Sequence, residues 1–240
     1  MAFSLNGPIQ EDALSKYDSI VTIKFVSASD NFKLFEDFRV HRGLITQCSE
    51  YFRAALEKEN FQEGKVGIIE LPIDDLEPFK MFLAWAYQRS MLHGGWAEPM
   101  DPCITAFKTS KKDNDGKAAR LMSRYVHAWV YGDMRQAPEF QDWVMYQLIA
   151  GAKEIGFYIN ECSVKYAYDH TMPGSLLRKY LVDTCAANGR PSSFQEQDSG
   201  YQDFPKSFTE EMVVVLMTKG KSAAQNYRFD PSPYLHKVER

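Results

Sequence analysis

Cysteine is scarce in this chain of 240 residues, and Cys48, Cys103, Cys162 and Cys185 lie far apart with no CxxC pair among them. A disulfide framework uses denser and more regular spacing, so a reducing compartment is expected, cytoplasmic or nuclear. Cys48 and Cys185 each fall on the apolar side of an expected helix, where a free thiol behaves as a small hydrophobe. Long hydrophobic runs are missing too: no stretch approaches the roughly 20 apolar residues that a membrane span requires. The opening MAFSLNGPIQEDALSKYD has no basic segment followed by an apolar one, so neither a secretory leader nor a membrane partner is expected. An excess of one charge is also lacking, with 28 Lys+Arg against 32 Asp+Glu for a net charge of -4. That balance gives no electrostatic reason to expect nucleic acid or an anionic surface as the main partner. The densest basic stretch, KTSKKDNDGKAAR (108–120), is interrupted by Asp113 and Asp115 and reads as a solvated loop.

The signatures of chemistry are equally thin. Neither a GxxxxGK[ST] nor a GxGxxG is present to cradle phosphate. The five histidines, His41, His93, His127, His170 and His236, form no HExxH and no paired Cys/His spacing, so no metal or cofactor is expected. Glu36-Asp37, Asp74-Asp75 and Glu210-Glu211 are acidic neighbours of the kind that start helices or sit in solvent. One ordering imitates a catalytic triad: Asp18, His41 and Ser49 run acid, base, nucleophile. Triads are defined by geometry, however, and Ser49 is expected inside a helix with no glycine-flanked turn to expose its hydroxyl. A Cys48–His41 dyad would need a thiolate on a buried stripe, where it is disfavoured. The expectation is a non-enzyme, with a hydrolase using His41 and Ser49 as the alternative from a different class.

What is there is periodicity. In IVTIKFV (20–26), Val21, Ile23 and Phe25 share one face while Thr22 and Lys24 take the other, the pattern of a half-buried strand. SASDN supplies a turn, and a second strand follows around 34–40, which predicts a hairpin. Residues 42–56 switch to helical period, with Leu44, Cys48, Tyr51, Phe52, Ala55 and Leu56 on one face. VGIIELP (66–72) reads as a further strand, and 75–89 as a helix capped by Asp74 or Asp75. Residues 91–117 break the rhythm as a long loop, with a short strand near 103–107. Helical period resumes near 118 and again over 137–156. A helix over 171–189 would start at Thr171 and stop at Asn188-Gly189. Another covers 205–219, and the proline-containing tail NYRFDPSPYLHKVER is expected to be extended. Strands first and helices after predict an α+β fold.

In order along the chain, Asp18, then Phe38, Val40, His41 and Arg42, then Leu44, Ser49, Tyr51 and Phe52 form a recognisable series. It continues through Phe61, Glu63, the Ile69–Pro72 run, Asp75, the Phe79–Leu83 helix, Trp85 and Tyr87. The series resembles a BTB/POZ domain, of the stand-alone type common in fungi, and YGDMRQAPEFQDWVM (131–145) is similar to the helix pair that closes such domains. The resemblance implies a small three-stranded sheet flanked by a cluster of helices. It divides the chain into an N-terminal segment (1–17), a BTB/POZ-like domain with an inserted loop at 91–117 (18–155), and a helical extension and tail (156–240). It further implies a protein–protein interaction module that self-associates as a homodimer or recruits a partner. That role would be substrate adaptor of a cullin-type ubiquitin ligase, or scaffold without a cullin, as in transcriptional complexes. Asp18, His41 and Arg42 match a charged cluster beside the dimer-related surface, with His41 as a polar anchor between strand and helix. Trp96-Ala97-Glu98 matches the hydrophobic-x-Glu element of cullin-binding members, which makes Trp96 and Glu98 the candidate cullin contacts.

Overall fold

A computed structural model of the chain describes residues 17, 19–27, 33–57, 61–91, 115–154, 160–188, 204–226 and 230–237. The chain divides into two compact units, 1–94 with 135–137, and 95–134 with 138–240. The expected strand near 103–107 lies outside the described residues.

In the first unit the alternation of β1 (Ile20–Ser27) places Val21, Ile23 and Phe25 in the core, as the sequence predicts. β1 is the middle strand of a three-stranded sheet: it runs antiparallel to β2 (Lys33–His41) and parallel to β3 (Ile68–Pro72). A parallel neighbour requires a crossover, and three short helices lie within it: α1 (Arg42–Cys48), α2 (Glu50–Leu56) and α3 (Gln62–Val66). A 3-10 turn (Ile73–Asp75) then leads into α4 (Leu76–Met91). The sheet and α4 meet through aromatic rings. Phe25 packs on Phe79 at 5.2 Å between centroids and on Phe38 at 5.9 Å, and Phe82 bridges Phe52 and Trp85 at 5.9 Å each. Burying each such phenylalanine contributes about 1.5–3 kcal/mol, so this cluster dominates the unit's stability.

The single helix expected over 42–56 is in fact two. Ser49 is extended (φ -149, ψ 125) and is the N-cap of α2, accepting a hydrogen bond from the amide of Phe52 at 3.2 Å. The apolar spacing carries across the break because both helices bury the same side, so periodicity alone hides it. α3 is not anticipated by the sequence, and only its last residue, Val66, falls within the strand expected over 66–72. Its Gly64 has no room for a side chain, since a Cβ would lie 2.6 Å from the Glu57 carbonyl oxygen. Gly67 ends the helix in the left-handed region at φ 71, which glycine adopts without strain. Asp75, expected as a possible cap, takes the guanidinium of Arg135 instead, and Arg135 also stacks on Tyr51 with its Cζ 4.4 Å from the ring centroid.

The second unit is helical among the described residues: α5 (Asp115–Met134), α6 (Pro138–Glu154), α7 (Glu161–His170), α8 (Leu176–Asn188) and α9 (Lys206–Asn226). α7 was not anticipated, although Asn160 caps it by accepting from the Ser163 amide at 2.8 Å. Thr171, expected to open the next helix, closes α7: its hydroxyl donates to the Ala167 carbonyl at 2.6 Å. Arg178 of α8 then donates to the Tyr168 carbonyl at 2.8 Å and to the Thr171 hydroxyl at 3.0 Å, which joins the two helices at a buried cation. The tail is not simply extended. It forms a 3-10 turn (Ser232–Tyr234) whose Tyr234 is buried and donates to the Asp183 carboxylate at 3.1 Å. With a small mixed sheet and a majority of helix, the fold class is α+β.

Candidate interaction surface

β2 ends and α1 begins at His41, which is the N-cap of α1 with extended backbone (φ -69, ψ 122) and no side-chain capping bond. Its side chain turns instead to α4. The imidazole Nδ1 lies 2.8 Å from the Tyr87 hydroxyl, and the ring edge meets the ring of Tyr17 at 5.0 Å between centroids. Tyr17 in turn shares a 2.8 Å hydrogen bond with the Ser90 hydroxyl, so Tyr17, His41, Tyr87 and Ser90 form one half-buried polar and aromatic cluster. Arg42 is fixed at both ends. Its amide donates to the Ser19 carbonyl at 2.8 Å, and its guanidinium donates to the Leu56 carbonyl at the end of α2. A cation at a helix C-terminus meets the negative end of the peptide dipoles, which favours this placement.

His41 and Arg42, neighbours in the chain, lie at one end of the sheet, where β2 passes into α1. Asp18, Trp96 and Glu98 lie outside the described residues. The hydrolase arrangement is not assembled. The Ser49 hydroxyl is buried, 3% exposed, and donates to the Arg135 carbonyl at 2.5 Å while accepting from Phe52, so both of its bonds are structural. The His41 ring bonds Tyr87 rather than Ser49. Cys48 is likewise buried, with Arg89 Nη1 3.9 Å from its sulfur. No group of His, Cys, Asp and Glu among the described residues is arranged to hold a metal ion.

Two apolar residues beside this cluster were not singled out from the sequence. Ile20 pairs with His41 across the β1–β2 ladder and is 61% exposed. Val66, at the end of α3, is 65% exposed. It precedes Gly67, whose carbonyl receives the Thr22 amide at 2.8 Å, so Val66 comes up on the other side of the same end of β1. Ile20 was legible, because it falls out of phase with Val21, Ile23 and Phe25. Val66 was hidden by its assignment to a strand. Phe61, the N-cap of α3, is also exposed. This end of the sheet thus offers exposed aliphatic side chains next to fixed polar ones, the composition of a protein contact surface.

The family model for the BTB/POZ domain matches residues 14–100. This part of the chain is a BTB/POZ domain, and the mixed sheet with its helix cluster is the fold such a domain has. A BTB/POZ domain is a protein–protein interaction module. Searches of curated proteins and of solved structures find no match for the chain. No helix among the described residues is long and apolar enough to cross a membrane.

Proposed function

We propose that this is a non-enzymatic interaction protein that pairs with a second copy of itself through the end of the sheet bearing Ile20, His41, Arg42 and Val66. The observation that supports this reading is the exposure of Ile20 and Val66 at the same end of the sheet as His41 and Arg42, which are already tied down by their own hydrogen bonds. A surface ordered before binding loses little side-chain freedom on association. Asp18 would complete the charged cluster, and His41 serves as an anchor that holds β2, α1 and α4 in register. The surrounding domain would run over 18–155 with the insertion at 91–117, and 156–240 would form its extension. The setting would be the cytoplasm or nucleus, in keeping with the few, widely spaced cysteines of the sequence.

The test is the molar mass of the full chain by sedimentation equilibrium, compared with an Ile20→Lys/Val66→Lys variant. Both positions are exposed, so the changes leave folding nearly intact. Loss of mass in the variant is expected, and an unchanged mass would overturn the reading.

A finer version makes the protein a substrate adaptor of a cullin-type ubiquitin ligase, with Trp96 and Glu98 as the contacts. It is supported by the hydrophobic-x-Glu spelling and by the BTB/POZ match, and it is tested by retention on a cullin N-terminal domain. Retention that is lost in Trp96→Ala/Glu98→Ala supports the adaptor; no retention of the unaltered chain leaves the scaffold.

A further inference from the structure

Segment 230–237, DPSPYLHK, lies on the second unit as a peptide lies on a receptor. Its shape is set locally. The Asp230 carboxylate accepts from the Ser232 amide at 3.0 Å, and the Tyr234 amide donates to the Pro231 carbonyl at 2.8 Å. Pro231 and Pro233 fix the backbone further. A turn closed by the segment's own bonds has less freedom to lose on docking.

The groove reads the segment along its length. Tyr234, 1% exposed, is the anchor: its ring meets Tyr180 of α8 edge-on at 5.4 Å, and its hydroxyl donates to Asp183, itself only 3% exposed. One turn earlier on α8, Lys179 donates to the Pro233 carbonyl at 2.9 Å and holds its ammonium 5.4 Å from the Tyr234 ring centroid. From α6, one oxygen of Asp142 receives both the amide and the ring Nδ1 of His236, at 2.9 and 2.7 Å. The same ring lies nearly parallel to Trp129 of α5, 6.5 Å between centroids. A buried aromatic anchor flanked by polar groups that read its neighbours has the make-up of an interface hot spot. Packing alone does not call for it. A buried carboxylate is costly unless donors meet it, so Asp183 favours tyrosine over phenylalanine at the anchor and gives the groove a preference among ligands.

We infer that Trp129, Asp142, Lys179, Tyr180 and Asp183 form a peptide-recognition site for a segment with proline just before tyrosine and histidine two residues after it, and that 230–237 is its resident, displaceable ligand. A partner protein presenting the same pattern competes with the resident segment, which sets a threshold for binding. All residues of the site belong to the second unit, and the sheet end of the BTB/POZ domain contributes none.

The test uses the full chain and a fluorescein-labelled peptide of sequence DPSPYLHK, followed by fluorescence anisotropy. Two variants loosen the resident segment: His236→Ala, at a half-buried position, and Tyr234→Phe/His236→Ala, which keeps the aromatic ring. Circular dichroism should show the helices intact in both. The peptide should bind each loosened chain at least tenfold more tightly than the unaltered chain, whose own segment competes at high effective concentration. Binding to neither loosened chain, or equal binding to loosened and unaltered chains, would overturn the inference. The peptide carrying Tyr234→Phe should bind at least tenfold more weakly, because a donor to Asp183 is lost. The unaltered peptide should weaken as much against a loosened chain that also carries Asp142→Ala. Equal affinity in either comparison would mark unselective adhesion and would equally overturn it.

Discussion

His41 and Tyr87 are joined by a 2.8 Å contact between the imidazole Nδ1 and the phenol oxygen, across 46 residues of chain. The contact ties the end of β2 to α4 and directs the ring to Tyr87. If it anchors the strand–helix joint, Tyr87→Phe should destabilise the BTB/POZ domain by about 1 kcal/mol, the usual net worth of such a bond. His41→Ala should cost somewhat more, because the edge contact with Tyr17 is lost as well. Urea denaturation of the two single variants and the double variant measures the coupling; strict additivity would show that the two side chains do not act together.

Ser49 makes a second testable point. Its hydroxyl caps α2 and also satisfies the Arg135 carbonyl, so Ser49→Ala should cost roughly 2–3 kcal/mol, more than a cap alone. Ser49→Thr, which keeps donor and acceptor, should recover most of that loss. A fluorophosphonate probe should leave Ser49 unmodified in the folded protein, and labelling there would revive the hydrolase reading.

The buried thiol and phenols of the second unit predict an alkaline limit to stability. Burial pushes the Cys185 thiol up to about 12. Burial also raises Tyr168 and Tyr234, and the carboxylates of Glu211 and Asp183 raise them further. These groups keep their protons in the folded state and release them in the unfolded chain near their ordinary values of about 8.5 and 10. Their contribution is therefore complete below that range and is lost progressively as pH rises from it toward the raised values of the folded state. Thermal unfolding should show a constant midpoint from neutral pH to about pH 8 and a falling one above. At the same mildly alkaline pH, peptide mapping after iodoacetamide should find Cys162, which is exposed, modified and Cys185 intact until the protein is unfolded.

The parts of this fold that were legible in the sequence are those governed by local periodicity. β1 declared its core side through Val21, Ile23 and Phe25, and the helix of Phe79 and Phe82 declared its own. What escaped were the ends and joints. Ser49 lies within an unbroken apolar pattern, and only its extended backbone separates α1 from α2. Thr171 is a capping residue by type, but whether it closes one helix or opens the next depends on the Arg178 guanidinium, a contact made across the turn. Tyr234 follows two prolines that argue for an extended tail, and its burial against Asp183 overrides them. The parallel pairing of β1 with β3 is likewise set by the crossover through α1 to α3 and leaves no mark on either strand's own residues. Of the candidate surface, His41 and Arg42 were found by motif, whereas Val66, the first residue of the strand expected over 66–72, became visible only as the end of α3.

The central claim, association through the sheet end of the BTB/POZ domain, is tested most directly by sedimentation equilibrium of the full chain beside its Ile20→Lys/Val66→Lys variant. The account predicts a dimer for the unaltered chain and a lower mass for the variant at the same concentration. Equal masses for the two would contradict it.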